Sequence, residues 1–75
     1  MSDITNYENL ANAIILQATK DYRMALKCLK ANPKNRTALT DKDEIERFFR
    51  SGWFTVLTSV DGEMLIRSLT MEVDA

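Results

Sequence analysis

The chain contains no histidine, one cysteine, one proline and two glycines among 75 residues. Each shortage removes a class of answers. Without histidine the commonest general base is missing. A lone thiol, Cys28, can form no internal disulfide. With only scattered carboxylates beside it, that thiol makes a structural zinc site a poor expectation. The scarcity of turn residues favours a few long helices over many short strands. No apolar run approaches the ~18 residues of a membrane span. Met1-Ser2-Asp3-Ile4 has neither the basic nor the apolar part of a signal peptide. A cytoplasmic location is the expectation, and a free cysteine suits it.

What is present fits a small globular domain. Apolar residues make up 45% of the chain, too many for a disordered one. Seventy-five residues make a single domain of limited core. Such cores rarely supply more than ~3–5 kcal/mol, so good helix packing or a second copy is expected to help.

The apolar spacing predicts the elements. Leu10, Ile14, Ala18, Tyr22, Ala25 and Leu29 recur in steps of three and four, the signature of a core-facing amphipathic helix. Thr5-Asn6-Tyr7-Glu8 has the form of a capping box at its start. Asn32-Pro33 ends it, because proline disfavours helix at the preceding residue. A second helix starts at Asn35 or Thr40, and Ala38, Ile45, Phe48 and Phe49 on one face favour the earlier start. Ser51-Gly52 breaks it. Trp53–Leu57 suits a short strand by composition, but no second strand exists to pair with it, so a short buried helix is expected. Asp61 caps a last helix whose Leu65, Ile66, Leu69 and Val73 face inward. The fold is therefore expected to be all-α: three main helices plus a short one, spanning 1–75, with 1–5 and 74–75 frayed.

Length adds a constraint. From Asn6 to Ala31 the first helix would run about 39 Å at 1.5 Å per residue. A compact globule of this size is roughly 30 Å across. The helix should overhang its own body by about two turns, and its apolar stripe would then need a cover.

Charge is uneven although the net value is only -1. Lys20, Arg23, Lys27 and Lys30 are spaced by three, four and three, on the side away from the core. Lys34 and Arg36 carry the charge into the turn. Lys20 to Arg36 holds six cations and one anion, while the stretches before and after are acidic. Such a stripe is either a solvated helix end, favourable near a C-terminus, or a contact for phosphate, for an acidic protein surface, or for the acidic half of another copy. The carboxylates Asp41, Asp43, Glu44 and Glu46 read as a solvated face, since so small a chain offers no cleft for paired-carboxylate chemistry.

Four of the six aromatics fall in Phe48-Phe49-Arg50-Ser51-Gly52-Trp53-Phe54. Adjacent residues on a helix point ~100° apart, so these rings cannot all be buried at one spot. Phe49 and Trp53, with Arg50 beside them, are the residue types enriched at binding hot spots. Met24 and Met71 lie off the main apolar faces and are minor candidates. No catalytic constellation stands near, so no enzyme and no cofactor are expected.

Tyr7-Glu8-Asn9-Leu10-Ala11-Asn12-Ala13-Ile14-Ile15-Leu16-Gln17-Ala18 resembles the opening of a family of small proteins carried by phages and integrative elements of Gram-positive bacteria. Glu46–Ile66, with its Phe-Phe-Arg-Ser and Asp-Gly-Glu elements, resembles the same family's second half. The likeness covers roughly Tyr7–Leu69 and includes no catalytic motif. Gly52 departs from it, standing where a less flexible, often acidic residue is expected. The resemblance implies a genomic setting and no established activity. By analogy it points to a protein that binds and inhibits a host defence complex, such as a CRISPR nuclease, using Lys20, Arg23, Lys27, Lys30, Lys34, Arg36, Phe49, Arg50 and Trp53. A helix-turn-helix nucleic-acid regulator built around Ser51-Gly52 and a homo-oligomeric scaffold are the alternatives.

Overall fold

The computed structural model describes the backbone of residues 3–74 and the side chains of residues 6–74. It is all-α, with four helices: α1 (Asp3–Ala31), α2 (Arg36–Phe49), α3 (Gly52–Leu57) and α4 (Gly62–Asp74). Three are long and one is short, as the spacing predicts. Of the ends expected to fray, residues 1, 2 and 75 lie outside the described residues, whereas 3–5 and 74 continue α1 and α4.

Local chemistry sets most of the boundaries. α1 stops at Ala31, one residue before Asn32-Pro33, and the Asn32 amide closes the end on Cys28 O at 2.8 Å. The Asn32 side chain accepts from the Lys34 amide and tightens the turn. Asn35 caps α2 by accepting from the Ala38 amide at 3.0 Å. Ser51 ends one helix and starts the next: its hydroxyl donates to Phe48 O and accepts from the Phe54 amide. Asp61 accepts from the amides of Glu63 and Met64, satisfying donors that the first turn of α4 leaves free. One start differs from expectation. α1 begins at Asp3, so Thr5 sits inside its first turn and is not its cap.

α2 folds back along α1, so Ala38 lies beside Ala25 and Ile45 beside Ala18. α4 then runs in the same direction as α1. Its first residue, Gly62, abuts the Phe49 carbonyl, and near its end Glu72 and Val73 reach Arg23 and Lys30. The core is where the helices cross: Tyr22, Phe49, Phe54, Ile66 and Leu69, all at most 9% exposed. The rings meet edge-on, with Tyr22–Phe49 centroids 5.7 Å apart and Phe49–Phe54 centroids 5.5 Å apart. Each such pair contributes about 0.5–1.5 kcal/mol beyond burial. Thr19 is the one buried polar residue of α1 among the described side chains, and its hydroxyl donates to Leu16 O within the helix.

The long helix does overhang. The molecule measures 47 × 21 × 20 Å, with a radius of gyration of 13.6 Å. Every side chain from Asn6 to Leu10 is exposed. Leu10, expected on the core-facing stripe, is 61% exposed because α2 ends before reaching it. α3 also departs from expectation: Phe54 is buried, but Trp53 and Val56 are exposed, since one side of this short helix has no neighbour. No helix among the described residues is long and apolar enough to cross a membrane.

Candidate functional site

The cations of α1 divide into two groups. Arg23 donates to Glu72 at 2.7 Å, and Lys30 donates to the Val73 carbonyl at 3.0 Å. Both tie α1 to the end of α4. An exposed ion pair such as Arg23–Glu72 contributes about 1 kcal/mol or less, and both side chains are engaged with α4. Lys20, before Arg23, and Lys27, between Arg23 and Lys30, are exposed and take part in no ion pair among the described residues. Lys34 and Arg36 are likewise exposed, at the turn leading into α2. The surface available to a partner is therefore Lys20, Lys27, Lys34 and Arg36.

The aromatic knot is mostly core. Phe49 is 2% exposed and cannot anchor a partner, because the rings of Tyr22 and Phe54 close on it and Gly62 abuts its carbonyl. This corrects the expectation for Phe49. Trp53 is 55% exposed and is the one large ring of the knot facing solvent. Arg50, between them, is engaged: it donates to Glu63, and more weakly to Glu46 at 3.4 Å. It fastens the end of α2 to the start of α4, and its side chain stays half exposed. Met24 and Met71 are exposed, at 63% and 66%.

One polar cluster crosses the core's edge. The Tyr22 hydroxyl donates to Glu46 Oε2 at 2.6 Å, and Lys42 Nζ meets the same oxygen at 2.7 Å. Burial, and then the bond to Glu46, push the Tyr22 phenol up to about 12. Burial alone would raise the Glu46 carboxyl. The bonds from Lys42 and Tyr22, with the charges of Lys42 and Arg50, more than offset this and hold it below its ordinary value. The cluster joins α1 to α2 and has no open floor for a substrate. Glu46 therefore separates from the other carboxylates of its run, being turned inward while Asp41 and Glu44 face out.

Asp41 and Glu44 instead join Asp21 along a shallow groove between α1 and α2. Two adjoining hollows, of 460 and 390 Å³, make it up. Its floor is apolar: Ile14, Ala18, Ala25, Ala38, Ile45 and Phe48. The sequence carries a signal for this groove. Leu10, Ile14, Gln17, Asp21, Met24 and Cys28 alternate in steps of four and three, a second stripe beside the core-facing one. The carboxylate within it hides that pattern from a search for apolar periodicity. No three His, Cys, Asp or Glu side chains among the described residues are placed to share a metal ion.

No protein-family model, curated protein or solved structure matches the chain.

Proposed function

We propose that this chain is a non-enzymatic binding protein of a phage or mobile element, and that it acts by occupying a host defence complex such as a CRISPR nuclease. The observation that carries the binding half is the balance of apolar side chains. Among the described residues, Tyr22, Phe49, Phe54, Ile66 and Leu69 are buried, whereas ten large apolar ones are 42–66% exposed, including Leu16, Met24, Trp53, Met64 and Met71. Where such side chains lie together they mark a contact-making face, and where they stand singly they are ordinary surface. The defence target rests on the resemblance of Tyr7–Ala18 and Glu46–Ile66 to element-borne proteins, which is an analogy.

In this reading Lys20, Lys27, Lys34 and Arg36 supply the charged contact and Trp53 the apolar anchor. The test is capture from a Gram-positive host lysate that contains a CRISPR nuclease. Wild type is compared with a Lys20→Glu, Lys27→Glu, Lys34→Glu variant and with Trp53→Ser. Arg23 and Lys30 are left intact because reversing them would also loosen α4. Recovery of a defence component by wild type, and its loss in the variants, is the expected result. Equal recovery by all three removes this surface from the mechanism, and no defence component at all ends the inhibitor reading.

The helix-turn-helix alternative has less support. α3 would be the reading helix, yet it is six residues long and carries no charged side chain. Recognition of duplex needs phosphate contacts to position it and polar groups to read base edges. Retarded migration of duplex DNA at low salt, lost steeply as salt rises, would restore that alternative.

A further inference from the structure

The α1–α2 pair is covered on one side by α3 and α4 and bare on the other. The bare side is the groove floored by Ile14, Ala18, Ala25, Ala38, Ile45 and Phe48. From Ile14 to Cys28 it follows α1 for about 21 Å, the length of roughly four helical turns. Three of its floor residues are alanines, so a third helix could approach closely, as helices do at distances of about 8–10 Å.

Its electrostatics are one-sided. Asp21, Asp41 and Glu44 line it and no lysine or arginine does. None of the three takes part in an ion pair among the described residues. Asp21 accepts only a hydrogen bond from Gln17 at 2.9 Å, one turn away on the same helix. Of the acids away from the groove, Glu46, Glu63 and Glu72 each meet a lysine or arginine, whereas Glu8, Asp43, Asp61 and Asp74 meet none among the described residues. Three carboxylates without an ionic partner, and no cation, therefore stand beside the uncovered apolar floor.

We infer that this groove docks a cationic amphipathic helix from another protein, its apolar stripe on the floor and its lysines or arginines against Asp21, Asp41 and Glu44. This is the helix-in-groove mode of recognition, and complementary charge would set orientation and speed of encounter more than affinity. Lys20, Lys27 and Trp53 are not among the residues that line it, so the inference has a test of its own.

The test uses the full chain and a labelled synthetic helix of leucines at helical spacing with lysines elsewhere, followed by fluorescence anisotropy. A companion peptide carries glutamates for lysines. The lysine peptide is expected to bind, more weakly as salt rises, and the glutamate peptide not to bind. Asp21→Lys with Glu44→Lys should weaken binding by about tenfold or more. Lys20→Glu with Lys27→Glu should leave it unweakened. Ile14→Asn, at a half-buried residue outside the central cluster, should weaken binding while the chain keeps its helical circular dichroism. Absence of lysine-peptide binding at low salt overturns the inference, as does equal binding by the Asp21/Glu44 variant. Sedimentation of the chain alone as a dimer that Ile14→Asn dissolves would also overturn it, since the occupant would then be a second copy.

Discussion

Replacing Tyr22 with phenylalanine keeps the ring edge against Phe49 and removes one donor from Glu46. Glu46 retains Lys42 at 2.7 Å, so its carboxylate is not left bare. The expected loss is therefore about 1.5–3 kcal/mol, the range for a hydrogen bond to a charged group, read from urea unfolding. The same pair gives stability two pH limits. The Tyr22 proton leaves the unfolded chain near 10.0 and the folded chain near 12. Below 10 both states keep it and the contribution is whole. As pH climbs from 10 towards 12 the unfolded chain releases first, and stability falls. Glu46 works in the opposite sense: its folded value lies below the ordinary 4.5, so its contribution is present above 4.5 and is lost as pH falls further. Melting followed across pH should show both limbs, with the alkaline limb reduced in Tyr22→Phe. An unchanged alkaline limb in that variant would assign it to other groups.

At the scale of elements, the two glycines make opposite predictions. Gly52 opens α3 with nothing within 4 Å of where a Cβ would stand, and its φ is not positive. Gly52→Ala should stabilise by about 0.4–1 kcal/mol through the unfolded chain, and Gly52→Glu should add a favourable charge at the helix start. At Gly62 a Cβ would lie 2.0 Å from the Phe49 carbonyl oxygen, which is backbone and cannot swing aside. Gly62→Ala must push α4 off α2 and should cost about 1–3 kcal/mol or more; thermal melting of the two variants side by side checks both signs. The helix ends were legible because caps and breakers act within a few residues: Pro33, Asn35, Ser51 and Asp61 each do locally what their types do anywhere. Thr5 misled because Asp3 and Ile4 extend the helix past it. Which rings lie inside was not legible. Phe49 and Trp53 look alike as hot-spot types, and only the arrival of α4 against the end of α2 buries one and leaves the other 55% exposed. The basic stripe was legible as charge, but its division was not, since Glu72 and the Val73 carbonyl lie more than forty positions from Arg23 and Lys30.

The whole molecule is a short bundle with a rod projecting from it, 47 Å along the rod and about 20 Å across. Tyr22 and Ala25 are sealed under the other helices, while Tyr7 and Leu10 are 45% and 61% exposed. An isolated helix shorter than ~12–15 residues is marginal in water, so the projecting turns hold their shape largely by continuity with the part that is covered. They should open without the rest unfolding, whereas amides around Tyr22 should exchange only through global opening. Hydrogen exchange is therefore expected to be at least about a hundredfold faster at Asn6–Leu10 than at Tyr22–Leu29. Equal protection along α1 would mean either that something covers the rod in solution or that the helix is itself rigid there. Repeating the measurement at tenfold dilution then identifies it: a second copy would dissociate and release the protection, because self-association depends on concentration, whereas intrinsic rigidity of the helix would not change.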